Sequence, residues 1–224
     1  MMDTISSLLP GLLRGSAVTM QLALYSTVLG AVLAFASGIG KLSRIAPVRW
    51  LSTVYVEIFR GTSMLVQLFW LFYALPLLGV SLSPMVAGVL ALSLNIGAYG
   101  AEVIRGALNA VPEGQKEAAT AVNFTERHAL WHVYLPQALP EMMPPFGNLV
   151  VQNLKSTALV SLITLSDLTF AAQNLRNITF ETVPIYTLTL LLYFVMSLIL
   201  IGLMRLLENV IRRRTGAVRL RSEG

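Results

Sequence analysis

Two stretches without a single charge decide what this chain can fold into. Residues 15–40 and residues 61–101 contain no Asp, Glu, Lys or Arg. A helix needs roughly 20 apolar residues to cross a bilayer. The first stretch is therefore long enough for one crossing and the second for two, with residues 76–84 as the turn between them. Composition agrees, at 55% hydrophobic and 12% charged residues and a mean hydropathy of +0.71. Soluble domains carry about twice that charge. The reading is an all-α membrane protein, a single domain over residues 1–224. Five crossings are expected, at about 13–40, 55–76, 84–107, 139–165 and 184–207. The first apolar run is too long for a cleaved leader and has no positive segment before it, so it reads as a retained span. The lack of cysteine excludes a disulfide framework and thiolate metal sites.

Charge sets the expected orientation. Lys41, Arg44 and Arg49 follow the first crossing, and Arg105, Lys116 and Arg127 follow the third. Arg205, Arg212, Arg213, Arg214, Arg219 and Arg221 follow the fifth. The other side receives Asp3, the uncharged turn, Asp167, Arg176 and Glu181. Cytoplasmic loops are the ones enriched in Lys and Arg. The N-terminus is thus expected outside and the C-terminus in the cytoplasm. The net charge of +5 does not point to nucleic acid, because the arginines gather at membrane edges.

The fourth crossing is irregular in sequence. Pro136, Pro140, Pro144 and Pro145 crowd its start. Proline removes a backbone donor and clashes with the preceding turn. Pro136 and Pro140 can simply start a helix, whereas Pro144 and Pro145 lie further in and are expected to break or kink it. Such backbone is tolerated at membrane depth only inside protein or beside a cavity.

One charged, alanine-rich segment interrupts this apolar chain, at about residues 112–136. Glu113, Lys116, Glu117, Ala118, Ala119 and Ala121 favour a helix. Ala118, Val122 and Glu126 share a face at i, i+4 spacing. Asn123 stands where a left-handed turn would end that helix. A second short helix, roughly 125–134, is expected to stop at Leu135-Pro136. Two short helices joined by a sharp turn make a rigid knob on the cytoplasmic side.

Glu117-Ala118-Ala119, a turn residue four positions after Ala119, and Leu135-Pro136 resemble the EAA loop of ABC-importer permeases. In that family the usual turn residue is glycine, and here it is Asn123. Glu57-Ile58-Phe59-Arg60-Gly61-Thr62 with Leu65-Val66-Gln67 is similar to the EIFRGTP-LLVQ stretch of the polar-amino-acid permeases, with Ser63 in place of proline. Gly97-Ala98-Tyr99, Ala101-Glu102-Val103, Arg105-Gly106-Ala107 and Val111-Pro112-Glu113-Gly114-Gln115 match its next run. The string from Leu154 to Ser161 resembles its LKDTSLVS, with Ser156 replacing aspartate and Ala158 replacing serine. The set covers about residues 15–210.

The resemblance implies the type I importer permease fold in a bacterial inner membrane, within the histidine, glutamine and arginine permease subfamily or an ectoine-type branch. It implies an ATPase partner that binds ATP and Mg²⁺, and a second copy or a related permease. It also implies a periplasmic or lipoprotein solute-binding protein. It assigns Glu117, Ala118, Ala119, Asn123, Leu135 and Pro136 to ATPase coupling, and the stretch around Lys155 to the translocation route.

The residues themselves support a transport subunit without its own nucleotide site. A phosphate-cradling loop needs G-x-x-x-x-G-K-[ST]. Of the three lysines only Lys41 follows a glycine, and Leu42 then breaks the pattern. No catalytic triad, paired-carboxylate site or third ligand beside His128 and His132 is evident, so neither enzymatic chemistry nor a metal is expected. The twin Glu-x-x-Arg-Gly strings, Glu57, Arg60, Gly61 and Glu102, Arg105, Gly106, read either as interfacial contacts or as a cytoplasmic gate. The two glycines would allow close helix packing.

Lys155 is the one ionisable residue between 142 and 166. About 14 residues past Glu141, it stands roughly 20 Å into the membrane. It either snorkels outward or lines a substrate path with Ser156, Thr157 and Ser161. Asn95 and Tyr99 share a face and either line the route or bond between helices. No acid stands beside Lys155, which favours a neutral or zwitterionic amino acid, or a solute such as ectoine, over a cationic one. The rival readings are a gradient-driven secondary transporter, which would show buried carboxylates at mid-depth, and a non-transporting scaffold, which would need no Lys155.

Overall fold

A computed structural model describes residues 2–214, with side chains from residue 8 to residue 213. The side chains of Asp3, Arg214, Arg219 and Arg221, counted above for orientation, lie outside those described. Every regular element among the described residues is a helix. Three helices are long and apolar enough to cross a bilayer. They are α1 (Met2–Lys41), α4 (Pro84–Asn109) and α9 (Thr182–Arg214). The other two candidates are bent pairs.

The first bent pair corrects the expected crossing at 55–76. α2 (Ala46–Gly61) and the run Met64–Leu78, which begins with α3 (Met64–Phe69), meet at 105°. The expected span starts inside α2 and runs through the bend. Thr62 and Ser63 are both extended, which ends one helix and starts the next. Carbonyls left open at a helix end need donors. Gln67 supplies them, with Nε2 donating to the Phe59 carbonyl at 3.1 Å and to Thr62 Oγ1 at 2.7 Å. Asn95 on α4 donates to the same Phe59 carbonyl at 3.2 Å. Protein donors thus satisfy the Phe59 carbonyl at the break.

The second pair corrects two expectations about proline. α5 (Glu113–Ala121) is followed by α6 (Glu126–Ala129), a widened turn over Leu130–Tyr134, and α7 (Leu135–Ser156). Helix runs without a stop from Glu126, so Pro136 does not end it. Pro140, Pro144 and Pro145 all lie inside α7 without breaking it. In the widened turn the Leu135 amide reaches back five residues to the Leu130 carbonyl. That geometry spares the following Pro136 ring a clash with the turn before it. Pro136, Pro140 and Pro144 are four apart, so their three missing ladder bonds fall on one side, and Pro145 adds one on another. The change of direction comes later. A tighter 3₁₀ stretch, Thr157–Ile163, ends at Thr164 with φ +64°, and α8 (Leu168–Thr179) leaves at 50°.

α1 and α4 form the centre of the fold. Gly30, Ala34 and Gly38 recur every fourth residue along α1, and Ser93, Gly97 and Ala101 do so along α4. Small residues at this spacing let two backbones approach closely. A Cβ added at Gly30 would lie 2.2 Å from Ile96 Cγ2, and one at Gly97 would lie 2.8 Å from Leu33 Cβ. One at Gly38 would lie 2.9 Å from the Ala101 carbonyl oxygen. α7 is pinned to the same seam by the buried Asn153, whose Nδ2 donates to Ser26 Oγ at 2.7 Å and Thr27 Oγ1 at 3.1 Å.

Three apolar clusters follow the seam from end to end. Leu8, Leu12, Leu168 and Ile185 join α1 to α8 and α9. Leu22, Leu68, Leu92 and Val160 fill the middle. Ala34, Ile104, Leu108 and Met142 close the end nearest α5. Asp167, read from sequence as an outer loop charge, is fully buried. It caps α8, with Oδ1 accepting from the Phe170 amide at 2.9 Å.

Candidate functional site

The charged segment folds as a two-armed knob. α5 ends in a Schellman turn, with the Asn123 amide bonded to the Thr120 carbonyl at 2.9 Å and the Phe124 amide to the Ala119 carbonyl at 3.0 Å. The turn requires a left-handed residue, and Asn123 takes φ +59°. Thr125 then caps α6, its Oγ1 accepting from the His128 amide at 3.3 Å. Ala119 is buried against the body, while Glu117, Ala118 and Val122 face outward. The expected shared face of Ala118, Val122 and Glu126 does not form, because α5 ends at Ala121 and Glu126 lies beyond the turn in α6, although all three residues are exposed. Leu135 and Pro136 are half-buried in the first turn of α7. Phe124 meets His128 edge to face and His128 stacks on His132, with ring centroids 4.5 and 4.0 Å apart. An Arg44–Glu126 ion pair ties the second arm to the turn after α1.

An ion cluster lies next to the knob. Lys41 Nζ, at the end of α1, sits 2.5 Å from Glu102 Oε1 and 3.6 Å from Glu57 Oε1. Arg105 donates through Nε and Nη2 to Glu102 Oε2, at 3.0 and 2.7 Å. Both oxygens of Glu102 are therefore claimed by cations. Lys41 was expected only as a loop charge and is instead the hub joining α1, α2 and α4. Its place beside two glutamates at one membrane edge was the available signal.

The twin strings differ. Arg105 holds Glu102, but Arg60 turns from Glu57 and places its guanidinium 5.5 Å above the Tyr99 ring. Neither glycine supports packing within the chain, since a Cβ added at Gly61 or Gly106 would meet nothing within 4 Å.

The six residues expected along a substrate path separate into three groups. Asn95, Tyr99 and Ser156 meet in a narrow crevice of about 10 Å³ between α4 and α7, joined by Gln152. Gln152 was missed, although it precedes Ser156 by one helical turn. Lys155 points elsewhere, into a groove of about 580 Å³ between α7 and α9 that also carries Arg205 and Glu208. Thr157 and Ser161 are buried, and each hydroxyl donates to the carbonyl three residues back, at 2.6 and 2.7 Å. Those bonds serve the 3₁₀ stretch, so neither hydroxyl faces an open path.

Comparison with known proteins bears on the family and the fold. Residues 26–213 match the family described as binding-protein-dependent transport system inner membrane component. The chain is 58% identical over 209 residues to the probable amino-acid ABC transporter permease protein y4tF of Sinorhizobium fredii, covering 91% of this chain and 88% of that one. It is 37% identical over 207 residues to the L-cystine transport system permease protein TcyB of Bacillus subtilis, covering 92% and 86%. Its fold matches that in a crystal structure of an amino acid ABC transporter with histidines. There the TM-score is 0.86 and the identity 33%, over 92% of this chain and 96% of that one.

Proposed function

Since the chain belongs to the family of binding-protein-dependent transport system inner membrane components, we propose that the knob at α5–α6 is where a partner ATPase drives it. The chain is the permease subunit of an amino-acid ABC importer, a multi-pass inner-membrane protein. ATP hydrolysis belongs to the partner subunit, and a solute-binding protein delivers the cargo. The finer reading has five crossings, with the N-terminus outside and the C-terminus in the cytoplasm. The two bent pairs supply the second and fourth crossings. Two permeases, identical or related, stand over two ATPases that bind ATP and Mg²⁺. Closure of the ATPases draws the two knobs together and opens the path outward.

The observation that carries the coupling role is the Schellman turn at Asn123. It fixes α5 against α6 and presents Glu117 and Ala118 on a rigid outer face. A β-branched residue at φ +59° costs on the order of 1–3 kcal/mol. Asn123→Gly should retain coupled transport, and Asn123→Val should lower ATP-driven uptake several-fold. Equal uptake by both would remove the turn from the mechanism.

The cargo is a neutral or zwitterionic amino acid, or an amino-acid-like solute such as ectoine. Support comes from the sequence, which sets no acid beside Lys155, and from the α4–α7 seam, where Asn95, Tyr99, Gln152 and Ser156 bring no carboxylate to a crevice that in this conformation has room for about one water. TcyB carries L-cystine in its name, which is in keeping with that class. The deciding experiment is uptake of a radiolabelled panel by proteoliposomes holding the permease, its ATPase, its binding protein and any second permease. ATP-dependent uptake of one solute is the expected result. Uptake that ignores ATP and collapses with an uncoupler would instead restore the gradient-driven reading.

A further inference from the structure

We propose that His128 and His132 form a chelating site for a divalent transition-metal ion on the outer face of the knob, and that an ion held there opposes coupling to the ATPase. The second half rests on the importer reading above, and the first half does not. In sequence the two histidines lack the third ligand that a structural or catalytic zinc site needs. The structure adds none, since no group of three potential ligands gathers among the described residues. A surface chelate needs only two imidazoles, with water in the remaining positions. What the structure adds is their arrangement. The rings lie 4.0 Å apart and only 18° from parallel, at the i, i+4 spacing that puts two histidines on one metal. The His132 Nδ1 lies 3.0 Å from the His128 carbonyl oxygen. A carbonyl oxygen only accepts, so this nitrogen carries the hydrogen. In the neutral ring Nε2 therefore keeps its lone pair. An imidazole bonded through Nδ1 to a backbone carbonyl is oriented as metal-ligating histidines are.

The arm that carries the pair is held in place. Thr125 caps its start, Ala129 is buried beneath it, and Phe124 meets the His128 ring edge to face at 4.5 Å. Both histidines are exposed, so an ion reaches them from water. Glu126, the nearest acid in sequence, is paired with Arg44, which leaves a set of two nitrogens. Imidazole suits Zn²⁺, Cu²⁺ and Ni²⁺, whereas Mg²⁺ takes oxygen ligands. The Mg²⁺ that accompanies ATP would therefore not compete. The effect on coupling follows from place. Glu117 and Ala118 face outward from α5, and the histidines are exposed on the adjoining arm across the Asn123 turn. An ion with its waters adds positive charge and bulk to a surface that has to fit the ATPase closely.

The chain contains two histidines and no cysteine, so an ion bound through imidazole or thiolate has no other pair to use. The purified chain, freed of any histidine tag, is titrated with Zn²⁺ in detergent by calorimetry. One saturable site per chain is the expected result. His128→Gln and His132→Gln should each weaken it at least about tenfold, and excess Mg²⁺ should not displace the ion. Equal binding by the wild type and both variants, or no saturable binding by the wild type, overturns the chelate. ATP-driven uptake by the reconstituted system is then read with and without Zn²⁺, each protein against its own metal-free rate. Zn²⁺ should slow the wild type several-fold, a chelator should restore it, and His128→Gln combined with His132→Gln should resist. Inhibition of the wild type and the double variant alike, or of neither, overturns the effect on coupling. If the wild type shows no ATP-driven uptake even without Zn²⁺, the importer reading fails, and the titration still decides the site.

Discussion

Replacing Gly97 by valine should abolish recovery of the folded chain. A Cβ at this position would lie 2.6 Å from the Tyr55 hydroxyl, 2.8 Å from Leu33 Cβ and 3.2 Å from the Gly30 carbonyl oxygen. None of these can step aside cheaply. Leu33 Cβ and the Gly30 carbonyl belong to the α1 backbone or adjoin it. The Tyr55 hydroxyl donates to the Leu94 carbonyl at 2.8 Å and fastens α2 to α4. Valine adds two methyls beyond that first clash. Overpacking of a core position costs about 1–3 kcal/mol when neighbours can shift, and here α1 would have to leave α4 along the seam. The expected readout is loss of the monodisperse peak on size exclusion in detergent. Gly97→Ala should fall between the two, and Gly61→Ala should keep the peak because its Cβ meets nothing within 4 Å. A monodisperse Gly97→Val protein that still transports would show that the close α1–α4 approach is dispensable.

The second large effect is expected at Glu102. Glu102→Gln leaves Lys41 and Arg105 facing each other across a neutral amide. The side chains of Lys41 and Glu102 are 12% and 18% exposed. Removing one partner of a buried pair costs about 3–5 kcal/mol, and the value here falls below that because Arg105 is 40% exposed. The cluster joins the ends of α1, α2 and α4 beside the knob, so ATP-driven uptake should drop at least about tenfold through loss of this joint. Restoring charge balance tests the cause. Lys41→Gln combined with Glu102→Gln should be less damaging than Glu102→Gln alone, since the more buried of the two cations, left with only the longer Glu57 contact at 3.6 Å, is then gone. Two losses that simply add would mean the residues act independently and that no shared joint exists.

Local signals in the sequence were readable where the backbone itself decides. Asn123 could be placed in a left-handed turn because the helix-forming run before it is clear and few residues other than glycine accept that φ. The membrane class followed from charge-free length. Proline was misread for the same local reason. The rule that it breaks helices holds for a regular turn, but the widened turn at Leu130–Tyr134 accommodates Pro136. The change of direction moved to Thr157–Ile163, where no proline signals it.

What the sequence determined alone was that this chain crosses a membrane, carries no nucleotide loop, and presents one rigid charged knob. Hydropathy, motif spacing and backbone preference act over a few residues and need no partner. Tertiary structure decided which charges meet. Lys41 and Glu102 are 61 positions apart, and nothing local tells Glu57 to face Lys41 and leave Arg60 over Tyr99. It also decided which glycines matter. Gly30, Gly38 and Gly97 are buried in the α1–α4 seam while Gly61 and Gly106 stand open. The residue type is the same at all five, and only the element packed opposite makes the difference.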